Sequence, residues 1–133
     1  MIVFRDQERA QAAYKAVKAM DTSPPHPQAK KYGILCLRLP TLIMNNGLCQ
    51  TLAFFEAKAA KGSEYKQVMS DLAVATKLAD SGDALAIKAR NEQGPGYMRM
   101  TAESLRCALY FKRYSEAVLR VALTDDPDDE VGP

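Results

Sequence analysis

The sequence predicts an all-α fold, a compact single-domain bundle of about six helices. Apolar residues recur at i, i+3, i+4 and i+7 along most of the chain, the spacing that gathers them on one side of a helix. No sustained period-two run rich in β-branched residues competes with that pattern. Gly- and Pro-containing breaks fall at helix-length intervals.

Ala10, Ala13, Tyr14 and Val17 define the first helix, which Ser23-Pro24-Pro25-His26-Pro27 ends with a rigid connection. Tyr32, Leu35, Cys36 and Leu39 form the stripe of a second. Pro40 is expected to end or bend it, and Asn45-Asn46-Gly47 supplies residues that tolerate a helix exit at positive φ. Leu48, Leu52, Phe55 and Ala59 mark a third helix, closed by Lys61-Gly62-Ser63, with Ser63 expected as N-cap of the next. Tyr65, Val68, Met69, Leu72, Ala75 and Ala79 give a fourth helix, ended by Asp80-Ser81-Gly82, and residues 84–90 a short fifth. After Gly94-Pro95-Gly96, a long last helix carries Cys107, Tyr110, Phe111, Tyr114, Ala117, Val118 and Val121 on one side.

The chain has 133 residues, 47% of them apolar, enough for one core. Its longest uncharged stretch, Leu39 to Phe55, is broken by Pro40, Asn45, Asn46, Gly47 and Gln50, so no run suits a bilayer. The first residues lack the basic region and cleavage site of a secretory signal, which places the expected location in the cytoplasm. Cys36, Cys49 and Cys107 are odd in number and lack CxxC spacing, so they read as small core residues rather than disulfide or metal ligands. The net charge of +2 conceals an asymmetry: Asp125, Asp126, Asp128, Asp129 and Glu130 crowd the end, leaving 18 basic against 11 acidic side chains, or +7, on residues 1–124. The expected organisation is a helical domain over 1–124 and a solvated, disordered acidic tail over 125–133.

Catalytic constellations are missing. His26 sits in a proline-rich loop with no carboxylate nearer along the chain than Asp21, and neither a nucleophile elbow nor a phosphate-binding loop is present. Asp80 and Asp83 flank Ser81-Gly82 at a helix junction, where capping explains acids better than a metal site does. No cofactor, metal, membrane or small-molecule substrate is expected.

Basic residues are the remaining signal. No carboxylate lies between Asp21 and Glu56, yet Lys30, Lys31 and Arg38 do, and Lys31 and Arg38 are two helical turns apart, about 10 Å. Arg99, Arg106, Arg113 and Arg120 recur every seven residues, a ladder that could follow a phosphate backbone. Glu103 and Glu116 lie between them at helical spacing, so part of that charge is expected to be compensated within the helix. Arg99 would precede the helix if Thr101 is its N-cap. Lys15 and Lys18 share a face of the first helix, and only Lys18 has an acid, Asp21, within reach. The six tyrosines are expected mostly in the core rather than stacking on bases.

The run Lys30-Lys31-Tyr32, Arg38-Leu39-Pro40, Asn46-Gly47-Leu48, Thr51-Leu52-Ala53-Phe54 and Lys58, followed by Tyr97, Thr101-Ala102-Glu103 and Tyr110-Phe111-Lys112-Arg113-Tyr114, resembles the small helical subunit of the type III-B CRISPR effector, the Cmr complex. The resemblance implies a non-catalytic, cytoplasmic, all-α protein of antiviral defence, lining the groove where guide and target RNA pair beside the repeated backbone subunits. It implies Lys30, Arg38 and Lys58 as RNA contacts and structural roles for Pro40, Asn46, Gly47, Leu52 and Phe54. The acidic tail after Leu123 departs from the family pattern. With Lys31, Lys15, Arg106 and Arg113 added from charge spacing, these are the candidate RNA-binding residues. A helical protein-interaction adaptor without RNA contact, and a metal-dependent nuclease, are the rival readings.

Overall fold

The structure is a computed structural model that describes residues 4–124; the acidic run 125–133 lies outside the described residues. In chain order it contains α1 (Arg5–Lys18), α2 (Ala29–Ala59), α3 (Ser63–Thr76), α4 (Gly82–Asn91) and α5 (Gly94–Tyr114), then a π-helical turn, Ser115–Leu119. There is no strand among the described residues. The all-α expectation therefore holds. α2 is the central element, packed by α3, α4, α5 and the π-turn, while α1 lies against α3 and α5.

The second and third expected helices are the two arms of α2. Helical geometry continues through Pro40 and breaks only at Gly47, where φ is 82° and ψ 166°. Pro40 thus does not end the helix. A proline inside a helix costs about 3 kcal/mol, and the run Tyr32 to Leu37, buried at every position together with Leu39 and Pro40, offsets it through packing. The break at Gly47 requires glycine, because a side chain at that φ and ψ is strained.

A restarted helix leaves amides without intrahelical partners. Here the Cys49 N–H donates to Tyr97 Oη at 3.0 Å, and Thr51 Oγ donates to the Gly47 carbonyl at 2.8 Å. Tyr97 of α5 therefore caps the second arm of α2, joining two motifs that lie 48 residues apart. Tyr97→Phe is expected to lower stability by about 1 to 2 kcal/mol through the orphaned amide, and Gly47→Ala by about 1 to 3 kcal/mol through backbone strain. Urea unfolding at constant helicity measures both.

Other boundaries differ locally. α3 stops at Thr76, not Ala79, because Lys77 turns left-handed at φ 60° and Thr76 Oγ donates to the Ala73 carbonyl at 2.8 Å. Ser63 is the first residue of α3 and Gly62 its cap; the Ser63 hydroxyl instead accepts from the Gln28 side-chain amide. Ser81 caps α4, accepting from the Ala84 N–H at 3.1 Å, with Asp83 in the first turn. Gly94-Pro95-Gly96 opens α5 rather than preceding it, with Pro95 in the first turn, so Arg99 is helical and Thr101 is no cap. The Thr101 hydroxyl donates to the Tyr97 carbonyl at 2.9 Å.

Of the cysteines, Cys36 and Cys107 are buried and Cys49 only partly. Burial pushes the Cys36 and Cys107 thiols up to about 12, leaving them as unreactive packing groups at neutral pH.

Candidate nucleic-acid interface

Two basic zones follow from this packing. The first lies on the opening arm of α2. Lys31 does not point a bare charge at solvent: its ammonium lies 2.7 Å from Glu64 Oε1, and the Glu64 side chain is only 2% exposed. Sequence spacing hid this pair, because the acid comes from α3. The same stretch anchors Tyr32, fully buried, whose hydroxyl donates to Asp71 Oδ2 at 2.7 Å. Burial is the main cause of the raised pKa of Asp71. Lys30 is partly buried and itself engaged. Arg38 is exposed and makes no ion pair among the described residues. On the second arm, the Lys58 ammonium sits 5.8 Å from the Phe54 ring centroid, and that ring is 41% exposed. Phe54 is thus a surface aromatic braced edge-on by Phe55 and Tyr65, not a core residue.

The second zone runs along α5 where α1 packs on it. Glu103 is taken by α1: Arg9 Nε and Nη2 donate to its two oxygens at 2.7 and 2.6 Å, and Arg5 Nη2 adds a bond at 2.8 Å. The Arg9 and Glu103 side chains are only 12% and 16% exposed. Hydrogen bonding from Arg9 is the main reason the Glu103 carboxyl is held below the usual range. Arg5 Nη2 also donates to the last carbonyls of α3, Ala75 and Thr76, both at 3.0 Å, so one guanidinium ties three helices together.

The intrahelical compensation expected of Glu103 is therefore not what forms. Arg99 and Arg106 are exposed and have no ion pair within 4.0 Å among the described residues. Arg113 does meet Glu116, at 3.3 Å, yet its side chain stays largely exposed. Arg99, Arg106 and Arg113 share one side of a single helix over about 21 Å. Arg120 leaves the ladder, since the π-turn changes the helical phase and Arg120 itself is left-handed at φ 60°.

Beside the ladder runs an aromatic seam in which Tyr110 and Tyr114 pack against the core, as their apolar stripe predicts, while Tyr14 lies at the surface. Tyr14, 45% exposed, packs edge-on against Tyr114 at 5.3 Å, and Tyr110 stacks with Tyr114 at 6.1 Å. The Tyr110 hydroxyl donates to Asp6, which is the main cause of the lowered Asp6 carboxyl, with Arg9 and Arg106 adding to it. Lys18 is held by Asp21 at 2.9 Å, whereas Lys15 is exposed with no ion pair among the described residues. The exposed Tyr14 ring and the partly exposed Tyr110 and Tyr114 rings, close to Arg106 through their shared neighbour Asp6, suit stacked bases and phosphates. Among the described residues, no three His, Cys, Asp or Glu side chains converge as a metal site, and no helix is long and apolar enough to cross a membrane.

The class of this small helical domain is given by comparison with known proteins, which place it among CRISPR-associated proteins. The sequence model of the family described as "CRISPR-associated protein (Cas_Cmr5)" matches residues 5–118. The chain belongs to the Cmr5 family. It is 32% identical over 115 residues to the protein of Thermus thermophilus described as "CRISPR system Cmr subunit Cmr5", across 86% of this chain and 96% of that one. The crystal structure of a CRISPR-associated Cmr5 family protein from the same organism superposes with a TM-score of 0.81 at 30% identity, covering 89% of this chain and 99% of that one.

Proposed function

We propose that the chain is a small, non-catalytic subunit of a type III-B CRISPR effector, the Cmr complex, acting in the cytoplasm in antiviral defence. In this reading it lines the groove for paired guide and target RNA. Arg99, Arg106 and Arg113 follow the phosphates, and Lys15 and Arg38 extend the basic surface. Family membership supports the subunit assignment. The observation that carries the RNA reading is the diversion of Glu103 to Arg5 and Arg9, which leaves the α5 ladder uncompensated in its middle. Binding would be directed at the backbone and tolerant of sequence.

A contact with protein is favoured by a second surface. Leu42, Ala53 and Phe54 line a shallow groove with Asn46, Gln50 and Thr51 at the Gly47 break, and Met44 nearby in sequence is strongly exposed. This face suits a neighbouring backbone subunit. It would be the whole interface if the protein were an adaptor without RNA contact.

Mass analysis of what co-purifies with the native protein tests the assignment. Guide RNA together with other Cmr subunits is expected. Partners unrelated to CRISPR would refute it. The purified protein is also expected not to cleave single-stranded RNA with Mg²⁺ or Mn²⁺; cleavage that tracks the protein and disappears on changing Asp80 or Asp83 would favour a nuclease instead.

A further inference from the structure

We infer that the groove at the Gly47 break of α2 takes an extended, acidic segment of a neighbouring protein, its apolar side chains between Leu42 and Phe54 and a carboxylate on Lys58 and Lys61. Such an occupant gives chemistry to the protein contact proposed above and rests on that reading. Leu42, Asn46, Gln50 and Phe54 fall every four residues. Despite the break they line one groove of about 420 Å³, together with Thr51 and Ala53. Its shape is fixed before anything binds. Tyr97 Oη accepts from the Cys49 N–H at 3.0 Å and Thr51 Oγ donates to the Gly47 carbonyl at 2.8 Å, while Phe55 and Tyr65 brace Phe54 edge-on at 5.7 and 6.2 Å. A preformed site lowers the ordering cost of binding.

The lining selects the occupant. Asn46 and Gln50 are exposed, and neither side-chain amide makes a hydrogen bond among the described residues. Each carries donors and an acceptor side by side, the complement of main-chain groups. An extended segment has those groups open, whereas a helix uses them internally. Charge sets the direction. The Lys58 ammonium lies 5.8 Å from the Phe54 ring centroid, and the exposed Lys61 follows it, its N–H donating to the Lys58 carbonyl at 2.8 Å. Neither lysine has an ion pair among the described residues, and Glu56, the one carboxylate of α2, is held by Arg90 at 3.3 Å. Two open cations at one end of an apolar groove complement Asp or Glu beside apolar side chains. No lysine or arginine lies between Arg38 and Lys58, so this stretch of α2 offers nothing to a phosphate chain.

Photocrosslinking from p-benzoylphenylalanine placed at the exposed Ala53, in the native assembly and read by mass spectrometry, tests the occupant. One protein segment is expected, in which apolar residues adjoin Asp or Glu. A link to RNA, to a second copy of this chain or to a segment without carboxylates would overturn the inference. So would the absence of any link with the assembly intact. A link to an acidic, apolar segment of a protein unrelated to CRISPR would support the groove's chemistry and remove the subunit assignment instead.

A second arm measures the affinity of the purified chain for a reconstituted Cmr assembly that lacks it. Gln50→Glu barely changes size at an exposed position, so the fold is retained, yet it sets a like charge against the segment. It should weaken binding about tenfold at low salt, whereas Gln50→Lys should not weaken it. Equal effects of the two changes would show that charge does not select the occupant, overturning the inference. Failure of the wild-type chain to bind the assembly would count against the subunit assignment, while the crosslinked segment would still decide what fills the groove.

Discussion

Glu103→Ala is expected to destabilise the domain by about 3 to 5 kcal/mol, the range seen when one partner of a largely buried, hydrogen-bonded ion pair is removed. For a domain of this size that amounts to roughly 10 °C or more in Tm. The loss is large because both guanidinium groups remain behind: Arg9, 12% exposed, keeps only its contact with Asp6 at 3.3 Å, and Arg5 keeps the α3 carbonyls. The effect depends on pH with a definite sign. Arg9 hydrogen bonding depresses the folded-state pKa of Glu103 below the ordinary glutamate value of 4.5. The contribution is therefore complete above that value and is lost as pH falls through the lower, folded-state pKa. Urea unfolding of wild type and Glu103→Gln across acidic pH should show two stabilities that differ at neutrality and converge toward low pH. A difference independent of pH would mean that Glu103 acts through packing alone.

Lys31→Ala is expected to cost a comparable amount, about 3 to 5 kcal/mol, because it strands the buried carboxylate of Glu64. Joint replacement, Lys31→Met with Glu64→Gln, should recover most of the loss, since removing both charges removes the desolvation penalty as well. This result would separate Lys31 from the RNA contacts: its substitution would change stability far more than the salt dependence of RNA binding. Denaturation of the single and double variants decides it. Equal stability of wild type and Lys31→Ala would mean that the pair is not held in solution.

These two pairs also mark where the sequence is legible and where it is not. Helix existence followed from apolar spacing, and the break at Asn45-Asn46-Gly47 was readable because glycine admits the φ of 82° found there. The passage through Pro40 was not, since its compensation is tertiary burial around α2. Charge compensation proved the least legible feature. The interval without acids around Lys31 suggested an open cation, but Glu64 arrives from another helix. Glu103 sits at helical spacing from Arg99 and Arg106, yet the arginines that claim it are Arg5 and Arg9, 98 and 94 residues away in sequence. The exposure of Tyr14 was missed for a similar reason. Tyr14 belongs to an apolar stripe, and only the packing of α1 on α5 shows that its ring meets Tyr114 at the surface. The proposal centred on α5 therefore rests on tertiary pairing, which charge spacing along the chain does not show.

A salt titration of target-RNA binding by the reconstituted assembly, with wild type against the Arg99→Gln, Arg106→Gln, Arg113→Gln triple variant, addresses that proposal most directly. Each phosphate contact contributes about 0.7 to 0.9 to the slope of log affinity against log salt. The triple variant should therefore lose roughly 2 to 3 units of slope if all three side chains reach the backbone, with helicity unchanged because the replaced side chains are exposed. An unchanged slope with the assembly intact would contradict the proposal and return the α5 face to plain solvated surface.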